Sequence, residues 1–455
     1  MRSTDLNLCS VSFTMNGKQY ERGGKAMRRT IAAVMLVLIM ISSLAGCTTA
    51  DTQVVTLRPT EKPTATQRLQ TVFEASEEPA ETEPVTEEEP EKAPEATPEP
   101  KDETATEAPT ATPEPTPVPE VSSASHFYLK QESEKVRKAF DVIYAGVLAH
   151  KKSIELPENV DEDTLNRVQW LLRYDCPELF WLSQLTSFVY VDGKTDSILS
   201  VDVDYIMREE EAKQAQKKLD AIVDPWIEKT GGMTDYEKEL YAHDQIVKRC
   251  AYSSSGKHDG TAYGAIVNGK ARCQGYANAL GYVLRRMGIE SACLYGSAVN
   301  SEGKTESHAW NLVKIDGSWT LVDATWNDAQ EERWVNHAYF NVTDALLNQT
   351  HTRDGALKAY SIPECSSMKK EYCKMSGAYV SADEDAKKAL TAYLVKYLKG
   401  NAATDCIRFA TAEQFKEADA AMQECIQAAA DESGVYPENG VYFSKYPQMN
   451  YIHFE

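Results

Sequence analysis

No two cysteines stand in C-x-x-C spacing, so neither the usual zinc spacing nor a dithiol redox motif can be written for this chain. There is no excess of basic residues. The formal net charge is −21, from 48 Lys and Arg against 69 Asp and Glu, and no basic stripe offsets it, which argues against a nucleic-acid partner. The glycine-spaced stretch from Asp259 to Lys270 is not followed by Gly-Lys-Ser/Thr, so it is not a phosphate cradle. No EF-hand-like loop is present, and no calcium requirement follows. No metal and no cofactor is expected. The apolar run Ile31 to Leu44 is too short for a comfortable membrane span.

That run carries an address instead. Arg28 and Arg29 precede it and Leu-Ala-Gly-Cys closes it at Cys47, the order of a signal peptide: basic start, short apolar segment, small residues before a cut. The ending resembles a bacterial lipobox, which implies cleavage before Cys47 and lipidation of its sulfur. The protein is then expected on the outer face of a cell membrane, touching the membrane only through the lipid. Met27 is a plausible start, with 1–47 as leader and signal. The stretch 48–125 reads as a disordered tether. It is rich in Pro, Thr, Glu and Ala, repeats "ATPEP" at Ala96 and Ala111, and holds 18 acidic and 5 basic residues between Asp51 and Glu120. Most of the chain's negative charge is therefore in the tether.

Order is expected from about residue 126. Glu132 to His150 and Asp161 to Arg173 have helical spacing, "TSFVYVDGKTDSILSVDVDY" reads as two strands around Asp192-Gly193, and Glu209 to Ile227 reads as an amphipathic helix. These make a supporting α+β module over 126–228. A second module, 229–366, opens with a capping box, Thr234 and Glu237. His243 lies in that helix and reads as a packed or solvated histidine. The final module, 367–455, reads as small α/β with helices Glu384 to Leu398 and Ala412 to Ala430.

Chemistry concentrates in the middle module. In "GKARCQGYANAL", Cys273 stands just before an apolar stripe of helical period (Tyr276, Ala277, Leu280, Val283, Leu284), which puts it at a helix start. Free N–H groups and the helix dipole favour a thiolate there. "IESACLYGSAV" reads as a strand, and "HAWNLVKIDGSWTLVDATW" as a hairpin turning at Asp316-Gly317. If that turn has two residues, Ile315 pairs with Ser318 and His308 faces Thr325. His308 and Asp323 then share one face as diagonal neighbours, about 7–8 Å apart at Cα. A carboxylate so placed can orient an imidazole and stabilise its cation. Asp323 in an otherwise apolar strand needs such a partner.

These motifs, in the order Cys…His…Asp, resemble the transglutaminase-like superfamily within the papain-like cysteine hydrolases, over about Thr234 to Asp328. The resemblance implies an α+β fold, with a cysteine-bearing helix packed on an antiparallel sheet. It implies Cys273 as nucleophile, His308 as base and Asp323 as orienter. It also implies acyl transfer through a thioester to water or an amine, on a peptide or protein substrate. Trp310 and Trp326 are expected to shield the site or line its cleft. Two other readings stay open: a surface binding or scaffold protein that keeps the fold without turnover, and a disulfide between Cys273 and Cys293.

Overall fold

The computed structural model describes residues 53–57, 126–156, 160–189, 198–328 and 334–455. The signal segment, Cys47 and the tether from Arg58 onward lie outside the described residues. The start of the stretch read as tether departs from expectation: Gln53–Val55 forms a strand, β1. It pairs antiparallel along the edge of a sheet near the other end of the chain. Its own sequence, Gln-Val-Val, is β-prone, and the acid- and proline-rich composition begins only beyond it.

The stretch expected as the first module holds α1 (Glu134–Leu148), β2 (Ser153–Glu155), α2 (Glu162–Tyr174), β3 (Leu182–Val189), β4 (Ile198–Tyr205) and α3 (Glu209–Thr230), which crosses the expected boundary at 228. Ser133 and Asp161 cap α1 and α2 through their side chains. The strands form a small antiparallel sheet in the order β2-β4-β3. The second module begins with α4 (Asp235–Arg249), whose capping box is made as expected by Thr234 and Glu237. Then come β5 (Ala251–Tyr252), a π-helical turn at Gly264–Asn268, β6 (Lys270–Ala271) and α5 (Cys273–Arg286). The strands β7 (Ser291–Val299), β8 (Thr305–Ile315) and β9 (Ser318–Val322) follow, then α6 (Asp344–Leu347) and β10 (His351–Arg353). They make an antiparallel sheet in the order β10-β7-β8-β9.

Every residue of α5 from Gly275 to Leu284 is buried. Its apolar side chains join those of α3, α4, β8 and β9 in one core that includes Leu219, Ile246, Leu280, Val313 and Val322. Burial on this scale, rather than intrinsic propensity, holds so Gly-rich a helix start in place. The fold is thus α+β, with the cysteine-bearing helix laid on an antiparallel sheet.

The last module contains α7 (Tyr372–Ser376), β11 (Tyr379–Val380), α8 (Ala386–Leu398), β12 (Cys406–Phe409), α9 (Ala412–Ala420), α10 (Met422–Ser433), β13 (Val441–Tyr446) and β14 (Tyr451–Phe454). The single helix expected over 412–430 is two: it breaks at Ala421, whose backbone leaves helical geometry at φ −99 and ψ 7. Arg408 is fully buried here. It donates to Glu371 at 2.8 Å, to the Met449 carbonyl at 2.5 Å and, across into the second module, to the Ala338 carbonyl at 2.6 Å.

Candidate active site

The hairpin comes first, because it sets where two of the three candidate residues stand. Ile315 pairs with Ser318 and Leu312 with Leu321, the register read from the sequence. Asp316 and Gly317 both take positive φ, 48 and 81, as a tight two-residue turn demands. Pairing with β9 ends at Asn311 and Val322. His308 stays in the sheet by pairing with Gly296 on the other side, while Asp323 leaves the strand and its N–H donates to the Tyr339 carbonyl at 3.0 Å.

The departure frees the Asp323 carboxylate to collect four partners. Oδ1 accepts the N–H groups of Thr325 (3.0 Å) and Trp326 (3.1 Å). Oδ2 lies 2.7 Å from His308 Nε2 and 3.1 Å from His351 Nε2. A fully buried carboxylate is tolerable only when it is saturated in this way. Burial works against its charge, but the His308 charge and hydrogen bonds to both histidines hold the carboxyl well below the usual carboxylate range.

Cys273 stands at the first residue of α5, after an extended Arg272 that makes no side-chain cap. Gly275 allows this placement. A Cβ there would lie 2.3 Å from the Asp259 carbonyl, so only glycine lets the loop before β6 close on the helix start. That carbonyl accepts the Arg272 N–H at 2.8 Å. The loop is tied in turn by the Asp259 carboxylate, which accepts from Ser253 Oγ and the Gly256 N–H, each at 2.7 Å.

Cys273 is partly exposed, with its Sγ 4.0 Å from the Ser307 carbonyl, next to His308. Since His308 Nε2 faces Asp323, Nδ1 is the ring nitrogen left for the thiol. Burial pushes the Cys273 thiol up, but the His308 hydrogen bond and charge, helped by the Gln274 N–H, bring it below its ordinary value. Burial likewise opposes a charged His308, yet the Asp323 charge and hydrogen bond, reinforced by Cys273, raise it to about 10. Each group thus favours the other's charged form, thiolate facing imidazolium.

His351 was not foreseen from sequence. It arrives on β10, an edge strand added to β7 across a long loop. Gly296 accommodates it, since a Cβ there would meet the Thr352 carbonyl at 1.9 Å. Nothing in local spacing signals such an edge addition. Burial lowers His351 despite the pull of Asp323, so of the two histidines on one carboxylate it is His308 that carries the proton. His351 lies 2.8 Å from the Thr350 hydroxyl through Nδ1.

Trp310 and Trp326 are both buried around these rings. Trp326 lies 5.3 Å from His308 and 4.5 Å from His351, and Trp310 lies 6.2 and 5.0 Å from them, measured between ring centroids. They wall the histidines from water.

His243 is packed rather than solvated. It is fully buried, with Nδ1 3.0 Å from Asp244 and Nε2 3.0 Å from the Asn327 amide. Asp244 also meets His337 at 2.9 Å. Asn327 donates its own N–H to the Asp323 carbonyl, so this network braces the turn that aims Asp323. Cys293 is a free buried thiol beside Ala277 and Ala309, in a small cluster against which Cys273 packs. Burial pushes it up to about 12, which makes it an inert neighbour.

Among the described residues three groups bring metal-ligand atoms within 4.8 Å of one another: His126, Cys176 and Glu178; His243, Asp244 and His337; His308, Asp323 and His351. In the second and third the histidine nitrogens already point at the carboxylate they share. Their geometry is accounted for by those hydrogen bonds.

Residues 226–324 match the transglutaminase-like superfamily. No curated protein matches the sequence. Among solved structures, a protein from Cytophaga hutchinsonii provisionally described as a cysteine protease is 17% identical, over 31% of this chain and 61% of that one, with a TM-score of 0.21. A TGase is 12% identical over 38% of this chain and 50% of its own, with a TM-score of 0.22. The periplasmic domain of TgpA from Pseudomonas aeruginosa is 19% identical over 29% and 55%, with a TM-score of 0.19. The chain therefore spans only between half and three fifths of the length of these structures.

Proposed function

We propose that the transglutaminase-like domain in residues 226–324 is a cysteine acyl-transfer enzyme, with Cys273 as nucleophile, His308 as acid and base, and Asp323 as the residue that orients His308. The observation that carries this reading is the juxtaposition of Cys273, at the start of α5 and against the strand at Ser307 and Ala309, with a His308 held 2.7 Å from the buried Asp323 carboxylate, the thiol lowered and the imidazole raised. A pure binding protein has no use for such an arrangement, and ordinary packing does not charge a buried ring.

The chemistry follows from the proton positions. The thiolate attacks the carbonyl carbon of a peptide amide, forming a C–S bond and an oxyanion. The N–H of Cys273 sits in the helix's first turn, where backbone donors lack an internal acceptor, and it faces the developing charge. His308 gives its proton to the leaving amine as the C–N bond breaks, leaving a thioester. Water or a second amine then surrenders a proton to His308 while attacking that thioester, and the thiolate returns. The acceptor alone separates hydrolysis from cross-linking, and water at an exposed surface favours hydrolysis. Among the described residues no helix is long and apolar enough to cross a membrane. With the lipobox-like ending at Cys47, this supports a domain held outside the cell by a lipid and acting on proteins or peptides at the cell wall.

The test is alkylation of the folded protein with iodoacetamide, followed by intact mass and peptide mapping. Cys273 is expected to react first among the thiols, and more slowly in His308→Ala. Uniform labelling of all cysteines refutes the enzymatic reading. A Cys273→Ser variant that keeps full biological activity favours the binding protein instead.

A further inference from the structure

In a chain of net charge −21, the cleft beside Cys273 has no acid among the described residues that line it. The cleft encloses about 510 Å³ between α2, the segment that follows it, the loop 257–261 and the start of α5. Among the described residues its lining includes Arg173, Lys257 and Arg272 but no Asp or Glu. It reaches Arg272 and Gln274, the two residues flanking Cys273, and Asn278 one turn further along the same helix face. A second link runs through rings. Tyr174 of the cleft packs 3.7 Å from Tyr295 between centroids, and Tyr295 packs with Cys273 on the same small cluster.

The three cations are not spent on fixed partners. Among the described residues none of them has a carboxylate within ion-pair distance. Arg173 lies over the Tyr174 ring, and Lys257 donates only to the Ile206 carbonyl. Arg272 is half-buried. Its guanidinium bonds the Gln274 side-chain oxygen at 3.3 Å and lies against Gly260, where a Cβ would come within 2.7 Å of it. The glycine therefore makes room for the arginine at the cleft wall. A single exposed cation means little. Three in one concave site, none of them in an ion pair, concentrate the local field on an anion.

We propose that this cleft binds an acidic segment of the peptide substrate, with carboxylate side chains next to the scissile amide held by Arg173, Lys257 and Arg272. This rests on the acyl-transfer reading of Cys273, since it assigns the cleft to that reaction's substrate. Arg272 then acts twice: its backbone opens α5 and its side chain helps fix the substrate beside the residue that follows it. Trp170 and Tyr174 supply apolar wall for the intervening side chains.

The experiment is fluorescence anisotropy on the full chain, with a fluorescein-labelled glutamate-rich peptide and its glutamine twin. The acidic peptide is expected to bind at least about tenfold more tightly at low salt, with the advantage shrinking as salt screens the charges. A double variant, Arg173→Glu with Lys257→Glu, reverses two exposed charges and is expected to abolish the preference. Equal affinity for the two peptides, or a preference that survives the double reversal, overturns the proposal. Repeating the titration on Cys273→Ala separates the two claims. The acidic preference is expected to persist there, because the binding groups are intact. An unreactive Cys273 together with an intact acidic preference refutes the chemistry and leaves the cleft standing. A reactive Cys273 with no preference does the reverse.

Discussion

The substitution Asp323→Asn removes one charge and keeps most of the shape. The oxygen of the new amide can still accept the N–H groups of Thr325 and Trp326 that Oδ1 now accepts. The charge that raises His308 to about 10 is lost, however, and burial then leaves that ring neutral at pH 7. Without an imidazolium the Cys273 thiol returns at least to its ordinary value of 9.0, and burial pushes it higher. At pH 7, two units below, only about one thiol in a hundred is ionised. In the wild type His308 holds the thiol below 9.0, so a larger fraction is ionised, and the lower basicity of that thiolate trims its reactivity several-fold. The iodoacetamide rate at pH 7 is therefore expected to fall, by at most about 100-fold. The assay is the labelling rate of Cys273 followed by mass from pH 6 to pH 10.5. The two proteins should converge at the alkaline end, where the thiol ionises without help. Equal rates at pH 7 refute the electrostatic role of Asp323. A deficit that persists undiminished to pH 10.5 shows instead that the substitution displaced Cys273.

Two further predictions address the same site. Gly275→Ala should destabilise the protein by about 1–3 kcal/mol in urea unfolding and slow Cys273 labelling, because the added methyl meets the Asp259 carbonyl. Helix propensity alone predicts the opposite sign, a gain of about 0.5–1 kcal/mol, so a stabilised variant refutes the packing account. For pH, His308 is raised from 6.5 to about 10, so its contribution to stability is whole below pH 6.5 and lost as pH climbs through 10. Cys273 is lowered from 9.0, so its opposing gain with pH is complete above that value. The pair thus produces a net loss of stability between about pH 9 and 10, which urea titrations should show in wild type and not in His308→Ala.

The parts of the site legible in the sequence are those set by local rules. Asp316-Gly317 fixes a hairpin register that brings His308 and Asp323 near one another, and the departure of Asp323 from the strand completes the contact. The apolar stripe after Cys273 fixes a helix start. What was illegible depends on long-range closure. His351 reaches Asp323 only because β10 adds to a sheet edge that Gly296 leaves open. His243 looks like any helical histidine until Asn327, 84 residues away, is folded against it. The strand Gln53–Val55 escaped notice because three residues cannot outweigh the composition that follows them, and its partner lies near the opposite end of the chain.

Arg408 gives the C-terminal module a stake in the site. It grips the Ala338 carbonyl, and the adjacent Tyr339 carbonyl receives the Asp323 N–H. The guanidinium and Glu371 are both completely buried, so separating them from their surroundings strands charge in the interior, at a cost of about 3–5 kcal/mol. Residues 367–455 are therefore a thermodynamic component of the site rather than an appendage. Cleaving the chain near residue 366 would loosen the residue that aims His308, and would slow Cys273 labelling without touching Cys273.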